Sequence, residues 1–241
     1  NNLVEKHQFL NIHSWHYPSN QFVIMSLTTG KMFSVGIFAK YLLLCVVVAT
    51  FCASSVQKTH DQASSFHVPK GYSVEVVADS SLVAYPMFGY VDDTGRLFLF
   101  ESTGNVYDKT KDALADPKFR VNMLEDHNGD GVYDKSTIFA DHIGFPQGGY
   151  FYKGSLYISS APDLIKLTDT NGDGISDKRE VVLTGWALNV NANSLIGPFI
   201  APDGWLYLTS AINGFDVTTK EGVRLKGETS RIWRVRPDGS N

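Results

Sequence analysis

Cysteine is nearly absent from this chain. The 241 residues hold two, Cys45 and Cys52, both inside one apolar segment. If that segment is removed, no disulfide can staple the fold and no thiol can act as nucleophile or metal ligand. Positive charge is in short supply as well, with 21 Lys and Arg against 25 Asp and Glu, a net charge of −4. No basic stripe occurs, which excludes the footprint of a nucleic-acid binder. Long hydrophobic runs are missing. The longest, Tyr41 to Cys52, has twelve residues, against the roughly 20 that a membrane-spanning helix needs. Beyond residue 66 there is also no helical period sustained over three turns.

The short apolar run has the make-up of an export leader. Lys31 and Lys40 precede it and Ala53-Ser54-Ser55 follow as small residues suited to cleavage. An uncleaved anchor over about residues 35–53 is the alternative, and a lipoprotein is disfavoured because Leu44 and Phe51, not small residues, precede the cysteines. The first methionine is Met25, and the chain stops just after a strand and a turn at Pro237-Asp238-Gly239. It therefore reads as a piece of a longer protein. Residues 1–24 are expected to be a disordered upstream extension, 25–55 the leader or anchor, 56–65 a polar linker and 66–241 the folded domain.

What is present in that domain is strand and turn. Gly95-Arg96-Leu97-Phe98-Leu99, Gly154-Ser155-Leu156-Tyr157-Ile158 and Gly204-Trp205-Leu206-Tyr207-Leu208 share one template. Glycine turns before aromatic and β-branched runs are hairpin signals. One short helix is expected within 112–119, ended by Pro117. Many short strands in units of 40–60 residues predict an all-β chain and favour a β-propeller over a sandwich. About three to four blades of an expected six are present, each built as strand, turn, strand, acidic loop, strand.

The acidic loops carry the chemistry. Asp126-His127-Asn128-Gly129-Asp130-Gly131-Val132-Tyr133-Asp134-Lys135 recurs 43 residues later as Asp169-Thr170-Asn171-Gly172-Asp173-Gly174-Ile175-Ser176-Asp177-Lys178. Oxygen side chains on alternate positions followed by glycine are how a short loop wraps Ca²⁺. The second copy supplies Asp169, Asn171, Asp173, the Ile175 carbonyl, Asp177 and Glu180. The first supplies Asp126, Asn128, Asp130, the Val132 carbonyl and Asp134, but Thr137 stands where the closing carboxylate belongs, so weaker binding is expected there. Strand-like flanks argue against an EF-hand and for the same chemistry set into a β-hairpin. The plainer alternative is that Asn-Gly and Asp-Gly simply turn well.

Several stretches resemble a family of secreted propellers known as membrane-bound dehydrogenase-like, related to the PQQ-dependent glucose/sorbosone dehydrogenases. They include Phe66-His67-Val68-Pro69-Lys70-Gly71-Tyr72, Asp92-Asp93-Thr94-Gly95-Arg96-Leu97-Phe98, both acidic loops and Phe145-Pro146-Gln147-Gly148. Ala201-Pro202-Asp203-Gly204-Trp205 and Arg231-Ile232-Trp233-Arg234-Val235-Arg236-Pro237-Asp238-Gly239 complete the set. The resemblance implies a six-bladed propeller in the periplasm or cell envelope that oxidises a sugar or polyol with PQQ and Ca²⁺. Longer members of that family often add a haem-binding module downstream; no CxxCH occurs here, so these residues do not themselves hold a c-type haem.

Basic residues available to an anionic cofactor include Arg234 and Arg236, which strand alternation places on one face, opposite Trp233 and Val235. Relatives use a histidine as base about nine residues before the Pro-Asp turn, and here that position is Asn193. An amide cannot accept the proton, and His142 and His127 are weak substitutes. Two functions therefore stand side by side: a quinoprotein-type oxidoreductase, and a non-catalytic propeller that binds carbohydrate or protein.

Overall fold

The computed structural model describes residues 66–240 together with the backbone of one strand at 22–26. Among the described residues the chain is almost wholly antiparallel β. Two consecutive four-stranded meanders lead. Blade 1 is β3 (Pro86–Val91), β4 (Leu97–Glu101), β5 (Phe119–Glu125) and β6 (Lys135–Ile143), in that spatial order. Blade 2 is β7 (Gly149–Tyr152), β8 (Ser155–Ser160), β9 (Asp163–Thr168) and β10 (Lys178–Thr184). Blade 3 pairs β11 (Leu195–Ile200), β12 (Leu206–Ser210) and β15 (Arg231–Val235). A separate hairpin, β13 (Phe215–Thr218) and β14 (Arg224–Gly227), is inserted between its second and third strands.

These sheets stack face to face because their middle strands are apolar on both sides. All five residues of β4 are buried. Phe98 and Phe100 face blade 2, where they join Leu156, Ile158 and Leu167 in one core. Leu97 and Leu99 face the other way, onto Ala78 and Val83. On β8, Leu156 and Ile158 turn to blade 1 while Tyr157 turns to blade 3 and packs with Leu206 and Leu208. A sheet apolar on both faces is stable only between two neighbours, and repeated meanders stacked in series are the blades of a β-propeller.

Blade contact at the inner strands is close. A Cβ on Gly149 would lie 2.3 Å from the ring tip of Phe100, and one on Gly148 would lie 2.2 Å from the Gly197 carbonyl. Glycine is therefore required where these chains meet.

The expected three-strand unit is corrected to four. The innermost strands β3, β7 and β11 were missed because Met87-Phe88-Gly89-Tyr90, Gly149-Tyr150-Phe151-Tyr152 and Leu195-Ile196-Gly197-Pro198 lack apolar–polar alternation and carry glycine or proline. The short helix is α1 (Thr110–Ala115), lying before Pro117. It fills the connection from β4 to β5, which is why blade 1 is longer than blade 2.

Meander geometry puts the turns at two ends. Hairpins β3–β4, β5–β6, β7–β8, β9–β10 and β11–β12 share one end, here the hairpin end. The connections β6–β7 and β10–β11 emerge at the other. Both acidic loops are therefore on the hairpin end.

β1 (Phe22–Ser26) pairs antiparallel with β2 (Ser73–Ala78). The assigned upstream extension 1–24, leader 25–55 and linker 56–65 otherwise lie outside the described residues. Among the described residues no helix is long and apolar enough to cross a membrane.

Candidate functional site

The two acidic loops match hydrogen bond for hydrogen bond at a spacing of 43. Asp126 Oδ1 accepts from the Gly129 amide at 2.7 Å and Oδ2 from Gly131 at 2.9 Å. Asp169 accepts from Gly172 at 2.7 Å and Gly174 at 2.8 Å. Asn128 takes the Asp130 amide and Asn171 the Asp173 amide, each at 2.9 Å. Asp130 takes Val132 at 2.9 Å and Asp173 takes Ile175 at 2.8 Å. Each loop ends with Asp134 or Asp177 accepting from the amide of His127 or Thr170, at 3.2 Å in both.

The glycines explain why the chain can turn this way. Gly129, Gly131, Gly172 and Gly174 have φ between +74° and +87°, a region costly for residues with a Cβ. Their amides point inward and stabilise ionised carboxylates. The Gly131 amide leads in holding the Asp126 carboxyl below its ordinary range. For Asp169, desolvation pushes upward but is outweighed by the Gly174 and Gly172 amides, so its carboxyl also lies low.

Donor chemistry fits a hard cation: ionised carboxylates, amide oxygens and a backbone carbonyl, with no nitrogen or sulfur ligand needed. Convergence is incomplete, however. Among the described residues no three His, Cys, Asp or Glu side chains come close enough to hold a metal ion. Glu180, the expected closing ligand of the second loop, faces elsewhere. It lies two residues into β10, opposite Lys166 in register. Its carboxylate is 3.1 Å from Lys178 and 3.7 Å from Lys166. Strand alternation places Glu180 and Lys178 on one face of the sheet, and that local pairing competes with the loop. Thr137 of β6 brings no carboxylate to the first loop. The loops themselves are β-hairpin connections without flanking helices, in keeping with the strand-like flanks.

Arg234 and Arg236 come together, but on a protein group. Both guanidiniums lie over the indole of Trp205, at 4.7 and 4.3 Å from its ring centre. Alternation holds on β15, where Val235 is buried and Trp233 packs toward blade 2 while Arg234 is exposed. Of the other basic residues, Arg224 forms a two-point ion pair with Asp216 at 2.5–2.6 Å.

At the opposite end, Asn193 belongs to an amide network. Gln147 Oε1 accepts from the amides of Ser194 and Leu195 at 2.6 and 3.0 Å, and its Nε2 donates to Asn193 Oδ1 at 3.4 Å. Asn213 donates to the Asn193 carbonyl at 2.9 Å. The network splices the β6–β7, β10–β11 and β12–β13 connections and contains no proton acceptor of useful basicity. His142 is exposed on β6, with Nδ1 at 2.5 Å from Asp141, and His127 is exposed in its loop.

Sequence reasoning missed an open groove of about 490 Å³ between blades 2 and 3 on the hairpin end. Tyr152, Lys153, Tyr157, Lys166, Asp203 and Arg236 line it. The Tyr-Lys-Gly turn at 152–154 carried the available signal, a cation and an aromatic displayed on a tight hairpin.

Residues 58–241 match the family model described as "Domain of unknown function (DUF7133)". The chain belongs to this family. No curated protein matches it. Among solved structures, this chain is similar to the calcium-binding protein regucalcin from Agrobacterium tumefaciens, at 14% identity and a TM-score of 0.40. The likeness covers 66% of this chain and 51% of that one, so the matched part spans about half of the regucalcin chain.

Proposed function

We propose that this DUF7133 chain is part of an exported β-propeller whose hairpin-end loops bind Ca²⁺ and whose blades serve as a binding scaffold. One observation carries the cation reading: the two loops repeat the same set of carboxylate-to-amide hydrogen bonds, which turns alone do not require. Backbone amides hold Asp126, Asp130, Asp169 and Asp173 in place, and their remaining lone pairs are available to a divalent ion. With Asn128, Asn171 and the carbonyls of Val132 and Ile175, these residues would hold the metal. The ion would neutralise each loop and pin it. Copy two is the tighter site, because a rotation of Glu180 away from Lys178 supplies a further ligand and Thr137 cannot.

Export is supported by the sequence alone, through Lys31, Lys40, the apolar run 41–52 and the small residues after it.

Calorimetric titration of Ca²⁺ into the wild-type chain and into Asp169→Ala/Asp173→Ala tests the cation reading. Loss of the stronger site in the variant supports it; identical stoichiometry and heat in both would reject it.

A second reading, a quinoprotein-type oxidoreductase acting on a sugar or polyol, is favoured by the motif match over 66–241. Against it stands Asn193, tied by Gln147 and Asn213 where a base is needed. Incubation with PQQ and Ca²⁺ followed by dye reduction on a sugar panel separates the readings. Turnover would establish the enzyme, and absence of both turnover and PQQ binding would leave the scaffold.

A further inference from the structure

The groove between blades 2 and 3 lies at a junction packed differently from the one before it. In the shared strand template, Arg96 and Phe98 of blade 1 correspond to Ser155 and Tyr157 of blade 2. Between blades 1 and 2, Phe98 stacks on Phe151 at 5.3 Å, and the Arg96 guanidinium covers both rings at 5.4 and 5.0 Å. Between blades 2 and 3, register puts Ile200 where Phe151 stands, since Phe151 pairs with Leu156 and Ile200 with Leu206. Serine replaces the covering arginine. At the hairpin end of this second junction lies the groove of about 490 Å³, within the usual span of a small-molecule site.

Three cations line this groove, each backed by an aromatic ring. Lys153 lies 5.1 Å from the Tyr152 ring centre, Lys166 6.0 Å from Tyr157 and Arg236 4.3 Å from Trp205. Such backing orients the cation while leaving its outer N–H groups free to donate. Lys166 also faces Glu180 at 3.7 Å. Two carboxylates share the lining, Asp203 and Asp238. Asp203 accepts from the Trp205 amide and the Tyr207 hydroxyl, and Asp238 from the amide and hydroxyl of Ser240. Lys220 donates to the Asp238 carbonyl.

A purely cationic lining would suit a phosphate, and a purely acidic one a metal. This lining mixes both signs with the partly exposed face of Tyr152. It suits a ligand with one carboxylate per ring, several hydroxyls and an apolar C–H face. We propose that the groove binds a short saccharide bearing carboxylates: Lys153, Lys166 and Arg236 take the carboxylate, Asp203 and Asp238 accept hydroxyls, and Tyr152 meets the ring. The inference deepens the binding-scaffold reading and rests on it, but not on the cation reading of the loops.

The test is calorimetric or saturation-transfer binding of trigalacturonate, its methyl ester and inorganic phosphate to the whole chain, with and without EGTA. Lys153→Gly is the central variant. Lys153 has φ of +48°, a conformation glycine adopts freely, so the ammonium is removed without strain. Arg236→Gln is the second. Saturable trigalacturonate binding that persists in EGTA is expected, at least fivefold weaker for the ester and for each variant, with phosphate failing to compete at equal concentration. The proposal is overturned by absent binding at millimolar trigalacturonate, equal binding of the ester, unchanged affinity in both variants, or effective competition by phosphate. Binding abolished by EGTA would also overturn it, moving the ligand to the loops, whereas failure in the groove leaves the Ca²⁺ titration result standing.

Discussion

The amide of Ser176 donates to the carbonyl of Phe139 at 2.8 Å, fastening the second acidic loop to the outer strand of the blade before it. Forty-three residues earlier, Tyr133 donates to Val77 at the same distance. β2 thus occupies, for blade 1, the position that β6 occupies for blade 2. The acidic loops are blade-to-blade fasteners as well as candidate ion loops, and the two roles are coupled: whatever fixes the loop fixes the junction.

Loop glycines should report on that coupling. Gly131 and Gly174 have nearly the same φ, +87° and +86°, but a Cβ at Gly131 meets open space while one at Gly174 lies 3.1 Å from the Met123 methyl. Gly131→Ala is expected to cost about 1–2 kcal/mol from conformation alone, and Gly174→Ala somewhat more. Urea unfolding of both variants checks the order.

Glu101 should be among the costliest polar residues to remove. It is fully buried, accepts from the Ala84 amide at 2.9 Å and pairs with Arg120 at 2.7 Å. Glu101→Ala strands a half-buried guanidinium and a backbone amide. A loss of about 2–3 kcal/mol is expected, read as a lower urea midpoint at unchanged slope.

Inner-strand contact predicts a rescue. Gly149→Ala should lower stability by about 1–3 kcal/mol through overpacking against Phe100. Adding Phe100→Leu, itself destabilising, should recover part of that loss. The two changes should therefore be non-additive in a double-mutant cycle.

Acid sensitivity follows from the carboxylates. Asp126 and Asp169 have folded pKa values below the ordinary 3.8, through the glycine amides of their loops. Depressed folded values mean that the ionised form adds stability above pH 3.8, and that this is lost as pH falls through the lower folded values. Thermal melts between pH 2 and 6 should steepen below about pH 4. Asp126→Asn/Asp169→Asn should flatten that slope by lowering stability at neutral pH while leaving the acid end little changed.

Much of this was legible in the residues. The template Gly-x-Leu-aromatic-Leu/Ile marks β4, β8 and β12, and the loop spacing of 43 marks the third and fourth strands, because hairpin turns and alternation are local. Inner strands were not legible, since Gly149 and Pro198 answer to neighbouring blades rather than to their own strand. At the loops, alternate oxygens predicted which side chains fold inward. Glu180 escaped prediction because its partner Lys166 is brought by strand register, which spacing along one segment cannot reveal. Arg234 and Arg236 were rightly placed on one face, but the ring of Trp205, delivered by the β11–β12 turn, decides what they touch. The groove likewise is lined by segments as far apart as Tyr152 and Asp238, which only the fold brings together.

Anomalous diffraction from crystals grown with Ca²⁺ tests the central claim most directly. Peaks are expected in both hairpins, roughly 2.3–2.6 Å from oxygens of Asp126 and Asp130 and of Asp169 and Asp173, with the stronger peak in the second loop. Crystals at millimolar Ca²⁺ showing no peak in either loop, with the carboxylates bonded only to the glycine amides, would contradict the account.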